Sequence, residues 1–305
     1  MTFSKATVYG GGLIGSGWAV CFMMHGVDVT IFDVDETRLQ AVQANINHIL
    51  AFLTSEEIAV LTQEQKEECL NRVKYTCDVK EAVENAEFIQ ENTPEKLPIK
   101  QSVIAAIEQY NSTAIIASST SSMSITDIAA NAKHPERIIA GHPFNPVYIV
   151  PLVELSKGEK TSQESIDKAY AFYKEVGKEP IVLKKECKGF VANYIQNALY
   201  NACHHLVTEG ICDVVDVDKA VVFGPGIRWG LIGPYMVLEL AGGDGGIYSR
   251  MTKYGLDPNI DLDAICRGVE EELSQRQEFE GTDHRGLEQF RDIGLVTYLK
   301  YHRKV

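Results

Sequence analysis

Ala6-Thr7-Val8-Tyr9-Gly10-Gly11-Gly12-Leu13-Ile14-Gly15 is the stretch that decides the fold of this chain. A short strand-forming run leads straight into G-x-G-x-x-G, and residues 14–25 continue as an apolar, helix-like segment. Residues 27–32 form a second strand pattern that ends at Asp33. Gly10, Gly12 and Gly15 let the backbone turn tightly and approach a pyrophosphate at a helix N-terminus. Asp33 then stands where it accepts hydrogen bonds from a ribose diol. A glycine loop alone is often only a turn. Strand, loop, helix, strand and acid together predict a dinucleotide site. An acid at this place repels a 2′-phosphate, so NAD is expected rather than NADP, with Arg38 nearby as the opposing charge.

Outward from that loop the pattern alternates. Residues 35–71 predict two helices, an antiparallel pair. Strand patterns at 73–75, 87–90 and 114–117 are separated by helical ones around 79–84 and 96–109. Ser118-Ser119-Thr120-Ser121-Ser122 follows the strand at 114–117 and precedes a helix at about 124–131. Hydroxyls there suit helix capping. They also suit a place beside nicotinamide and substrate, because ligands of open α/β sheets gather at the carboxyl ends of strands. Next come apolar runs at 138–140 and 149–155, joined by Gly141-His142-Pro143-Phe144-Asn145-Pro146, with Glu154 in the second run. Two buried strands joined by a Pro-punctuated turn hold an imidazole and a carboxylate side by side. A carboxylate on one ring nitrogen fixes the tautomer, leaves the other nitrogen to accept a proton, and stabilises the imidazolium that forms. A helix at 162–176 and a last strand at 180–183 complete this half.

Strand signals stop at residues 184–188, and helical spacing runs on from 189–209 to the end. The expected fold is therefore α/β: a Rossmann-type doubly wound sheet over residues 1–187, then an all-α domain over 188–305. The net charge of −13 repels nucleic-acid backbones and anionic lipid, so neither is an expected partner. No apolar run approaches the roughly 18 residues of a membrane span. The first residues run directly into a strand and leave no room for a signal peptide. Seven cysteines, none paired as C-x-x-C, fit reduced thiols in a cytoplasmic protein better than a disulfide frame or a metal site.

GGGLIGSGWA at the start, SSTSSMSI at 118–125, GHPFNPVYIVPLVEL at 141–155 and KGFVANYI at 188–195 resemble the L-3-hydroxyacyl-CoA dehydrogenase family over nearly the whole length. The resemblance implies His142 as general acid/base and Glu154 as its partner, with Ser121 and Asn193 hydrogen-bonded to the substrate oxygen. It implies Glu95, Lys100 and Ser119 around the cofactor, Ser119 replacing an asparagine common in the acyl-CoA enzymes. It also implies a homodimer formed largely through the helical domain.

Within that family the chain is more similar to the free-acid branch, the L-carnitine dehydrogenases and the lambda-crystallin/L-gulonate 3-dehydrogenase group. FIQENTPEKLPIK (88–100), HPERIIAGHPFNPVY (134–148), GPGIRWGLIG (224–233) and AGGDGGI (241–247) carry the likeness to the carnitine enzymes. Asn193 departs from it, because carnitine enzymes often carry Asp there. Arg228 stands where acyl-CoA members have an apolar segment, and a guanidinium suits bidentate capture of a free carboxylate. Residues 33–70 hold eight acids (Asp33, Asp35, Glu36, Glu56, Glu57, Glu64, Glu67, Glu68) against Arg38 and Lys66, a field that opposes a polyanionic carrier. Trp229, with Tyr235 and Tyr148, offers aromatic faces for a quaternary ammonium. The expected reaction is NAD-dependent oxidation of a small L-3-hydroxy acid, carnitine-like. The alternatives are the same reaction on an acyl-CoA thioester or gulonate, or a non-catalytic NAD-binding crystallin-like protein.

Overall fold

A computed structural model describes residues 1–253 and 259–305, in two compact units, Met1–Ala198 and Leu199–Val305. The first unit is built on eight strands: β1 (Lys5–Tyr9), β2 (Asp28–Phe32), β3 (Val73–Thr76), β4 (Phe88–Glu91), β5 (Ile115–Ser118), β6 (Ile138–Pro143), β7 (Leu152–Lys157) and β8 (Glu179–Val182). They form one sheet in the order β3-β2-β1-β4-β5-β6-β7-β8. Every neighbouring pair is parallel except β6–β7, which is antiparallel. The order reverses between β1 and β4. That is the switch point at whose carboxyl edge open α/β sheets bind ligands.

The helices of this unit are α1 (Leu13–Met24), α2 (Glu36–Leu53), α3 (Gln63–Asn71), α4 (Val79–Val83), α5 (Leu97–Ile107), α6 (Ile125–Ile128), α7 (Gln163–Glu175) and the start of α8 (Phe190–Thr208). Residues 35–71 do form two helices, and both pack on α1. Asp35 caps the first by accepting from Arg38 N–H, and a Thr62–Gln65 capping box starts the second. Both sheet faces are covered, which is why β5 and β6 read as unbroken buried runs. On one face α1 and α7 bring Trp18, Phe22, Phe172 and Tyr173 against Phe88, with ring centroids 4.7–6.3 Å apart. On the other, α5 and α6 bury Val103, Ile104, Ile107, Ile125 and Ile128 on Ile89, Ile116 and Ile138.

The run 149–155, expected to be strand throughout, opens as a turn. The N–H groups of Ile149 and Val150 both donate to the Pro146 carbonyl (3.0 and 2.8 Å), so β7 starts at Leu152. β6 correspondingly runs on through His142 to Pro143.

The second unit packs α9 (Val214–Phe223), α10 (Pro225–Ala241), α11 (Gly246–Thr252), α12 (Leu262–Gln275) and α13 (His284–Tyr301) around Ile232, Met236, Ile247, Val269 and Leu287. Gly233 (φ 78°) before Pro234 breaks α10 in two, since proline removes a helical donor. No single helix among the described residues is long and apolar enough to cross a membrane. The expected boundary at 187/188 falls just before α8, whereas the compact units divide at 198/199, inside it. The first turn of α8 is bound into the sheet unit through Glu154, as described next.

Candidate active site

Strand register puts the two central side chains together. Across the antiparallel β6–β7 pair, His142 lies directly opposite Glu154, so both project from the same face of the sheet. The ring Nδ1–H donates to Glu154 Oε2 at 2.9 Å, and both groups are buried, His142 at 6 % exposure and Glu154 at 0 %. The other carboxylate oxygen, Oε1, accepts from the backbone N–H groups of Val191 (2.9 Å) and Ala192 (3.0 Å). Glu154 therefore orients the imidazole with one oxygen and caps the N-terminus of α8 with the other. With Nδ1 engaged as donor, Nε2 remains the acceptor.

Two rings fix the imidazole plane: Phe190 stacks at 4.9 Å and 23°, and Phe144 meets it edge-on at 5.5 Å. Phe190 holds a left-handed backbone (φ 54°) directly after Gly189 (φ 80°). A non-glycine residue in that region costs of order 1–3 kcal/mol, and such strain collects where a side chain must be aimed. Sequence reasoning missed the role of Phe190. Its signal was the aromatic after the glycine in KGFVANYI.

Asn193 follows Ala192 by one residue, so the Glu154 cap anchors it near the dyad. Ser121 is anchored from another side. Glu95 Oε1 accepts from Thr120 Oγ1 (2.6 Å), from the N–H groups of Ser121 and Ser122 (both 3.0 Å) and from Ser122 Oγ (3.0 Å). Behind Glu95 lies Lys100, 1 % exposed, with its ammonium 2.9 Å from Glu91 Oε2, 3.1 Å from the Thr93 carbonyl and 3.6 Å from Glu95. Lys100 thus reaches the turn through Glu95. Glu91, fully buried, is the partner the sequence did not reveal. Ser119 Oγ joins a further network, accepting from Gln90 Nε2 (2.9 Å) and Trp18 Nε1 (3.2 Å) and donating to Asn92 (2.7 Å).

Burial pushes the Glu95 carboxyl up, but the hydrogen bond from Thr120, the nearby charge of the Lys100 ammonium, and hydrogen bonds from Ser122 and the Ser121 N–H together hold it below the usual carboxylate range. A carboxyl depressed in the folded state contributes stability that is full above its unfolded value of about 4 and lost as pH falls through the folded value. Glu95→Gln should therefore flatten the acid side of the thermal-stability profile and slow turnover by loosening Ser121. Unchanged acid sensitivity would remove Glu95 from that account.

At the carboxyl edge of β1 and β2, Gly10 to Leu13, Asp33, Arg38, Asn92 and Thr93 line a cavity of about 730 Å³. Gly10 (φ 92°) makes the turn, and a Cβ on Gly15 would lie 2.0 Å from the Gly10 carbonyl oxygen. A Cβ on Gly12 would instead meet nothing within 4 Å, and no side chain caps α1 there. The first-turn N–H groups of α1 thus face open space, as a pyrophosphate requires. Asp33 accepts from the N–H groups of Gly11 (2.9 Å) and Val34 (2.8 Å) at the rim. These residues fit a dinucleotide. Arg228 and Trp229 lie on α10 of the helical unit, both exposed.

The chain matches the family model for the 3-hydroxyacyl-CoA dehydrogenase NAD binding domain over residues 5–187, and that for the C-terminal domain over 189–281. It is 33 % identical to an L-carnitine dehydrogenase of Bacillus cereus over 99 % of this chain and 94 % of that protein. The L-carnitine dehydrogenase of Pseudomonas putida is 34 % identical, over 95 % of this chain and 91 % of its own. Among solved structures, the (S)-3-hydroxybutyryl-CoA dehydrogenase of Ralstonia eutropha superposes with a TM-score of 0.69 at 27 % identity, covering 97 % of this chain and 95 % of that one.

Proposed function

The chain belongs to the 3-hydroxyacyl-CoA dehydrogenase family and is an NAD-dependent 3-hydroxy acid dehydrogenase, and on that premise we propose that its substrate is a small free L-3-hydroxy acid, carnitine-like, oxidised to the 3-oxo acid. NAD⁺, when bound, supplies the hydride acceptor. His142 Nε2 takes the hydroxyl proton as the hydride departs, and Glu154, 2.9 Å from Nδ1, stabilises the imidazolium. Ser121, anchored by the Glu95 carboxylate, and Asn193, anchored by the buried Glu154, hold the reacting oxygen in line. Gly10, Gly12, Gly15 and Asp33 take the cofactor's pyrophosphate and ribose, with Ser119 at the nicotinamide end. Glu95 and Lys100 hold the turn beside it.

The observation that carries the reading is the His142–Glu154 pair. Its free-acid refinement rests on Arg228, on the acidic α2–α3 segment, and on likeness to proteins named L-carnitine dehydrogenase. The same reaction on an acyl-CoA thioester is the second reading, favoured by the family models and the Ralstonia neighbour. We assign a homodimer through the helical unit, where Ile211, Val214, Val215 and Ile293 stand exposed.

The test is kcat/KM at fixed NAD⁺ on carnitine, gulonate, 3-hydroxybutyrate and 3-hydroxybutyryl-CoA, for wild type, Arg228→Met and Trp229→Leu. A charge-assisted pair is worth about 1.5–3 kcal/mol, so losing the guanidinium should lower kcat/KM on free acids roughly ten- to hundredfold. Trp229→Leu should harm cationic substrates selectively. Should Arg228→Met leave free acids untouched and wild type prefer the thioester, the acyl-CoA reading takes over.

A further inference from the structure

The turn between β6 and β7 rests on a buried cation that the reaction as described does not use. Gly177 (φ 73°) turns the chain out of α7, and Lys178 then enters the core at 3 % exposure. Its ammonium donates to the carbonyl of Val147 and, at 3.0 Å, to that of Val150. It also stands 5.3 Å from the centre of the Trp18 ring, with the Cys21 thiol nearby donating to the Val176 carbonyl. Among the described residues no carboxylate pairs with it, and burial draws the ammonium below the usual lysine value.

Burying a charge without a counter-ion is expensive, whereas a methionine would fill similar volume at little cost. Packing energy therefore does not account for a lysine here. What the charge can do follows from where its acceptors lie. Val147 and Val150 belong to the turn that joins the strand carrying His142 to the strand carrying Glu154. A charged donor bridging two carbonyls fixes that turn more firmly than neutral hydrogen bonds do.

The same turn is held from α1. A Cβ on Gly17 would come within 2.9 Å of the Val147 side chain, so helix and turn touch at a glycine. Trp18, whose ring faces the ammonium, donates its indole N–H to Ser119. At this one ammonium the helix that follows the glycine loop meets the turn of the dyad, and Trp18 ties in Ser119, the residue after β5.

We propose that Lys178 is a positioning residue of the dehydrogenase site, clamping the 146–150 turn so that His142 and Glu154 keep their facing register and their ring-to-carboxylate hydrogen bond. Its kinetic consequence rests on the dehydrogenase reading; its geometric consequence does not.

The experiment therefore has two arms, on Lys178→Met and Lys178→Arg. In the first arm, proton NMR follows the downfield resonance of the His142 ring N–H, assigned by its absence in His142→Ala. Lys178→Met should shift or broaden it, and Lys178→Arg, which keeps charge and donors, should retain it. In the second, kcat should fall about tenfold or more in Lys178→Met, because ångström-scale misplacement of a catalytic group costs up to about 10²-fold. NAD⁺ affinity by calorimetry should hold, and Lys178→Arg should recover most of the turnover. A folded Lys178→Met with the wild-type resonance and kcat, differing only in melting temperature, overturns the proposal. If that variant does not fold, Lys178→Arg decides: a native resonance with native kcat supports the clamp, and a displaced resonance despite the retained charge overturns it. A wild type inactive on every hydroxy acid tried would sink the dehydrogenase reading while the NMR arm still tests Lys178.

Discussion

His142→Ala is expected to lower turnover at least ~10²-fold, the scale of lost general acid–base catalysis, while NAD⁺ affinity stays close to wild type. The geometry separates the two quantities. The imidazole touches Glu154, Phe144 and Phe190, and none of these lines the cavity at Gly10–Leu13 and Asp33. Glu154 would keep its bonds to Val191 and Ala192, so the start of α8 should stay in place. Glu154→Gln is the companion. It preserves shape and one acceptor but loses the negative charge that supports the imidazolium, so turnover should fall and the pH–rate profile should be displaced. Near-normal turnover in His142→Ala would end the assignment. An undisplaced profile in Glu154→Gln would end the dyad.

The parts of this site that could be read from the chain are those written as local pattern. The glycine loop, the acid after the second strand and the imidazole flanked by apolar runs each follow from residues adjacent in sequence. Strand register then carries His142 to Glu154, because two antiparallel strands on a short turn leave little choice of partner. What stayed hidden depends on contacts between distant segments. Glu91 ends an apolar strand and looks like a boundary charge, yet β4 lies inside the sheet and Lys100 rises from α5 to meet it. Lys178 reads as a surface lysine after a helix-ending glycine, and its burial arises from Trp18 and the 146–150 turn. The strained Phe190 follows from the tie between α8 and Glu154, which no local propensity records. That tie also explains why the compact units divide inside α8 although the family models divide before it.

Lys100→Met should produce the largest loss of stability, about 3–5 kcal/mol, because it leaves one member of a buried ion pair without its counter-charge. Glu91 is fully enclosed, and its carboxylate accepts from Lys100 (2.9 and 3.1 Å), Ser118 Oγ (2.5 Å) and both the N–H (2.6 Å) and hydroxyl of Thr93. Neutral donors remain after the substitution, but none carries a charge. The substitution reaches the site as well: Glu95 loses the cation 3.6 Å behind it, and the turn bearing Ser121 hangs from Glu95. Turnover should therefore fall together with stability. The double variant Glu91→Gln/Lys100→Met separates the causes. Removing both charges removes the unpaired one, so much of the lost stability should return, as happens when apolar groups replace a buried pair. Turnover should stay low, because Glu95 still lacks its cation. A double variant no more stable than Lys100→Met alone would mean that the lysine acts by filling space, and the electrostatic link from Glu91 through Lys100 to the Ser121 turn would fall with it.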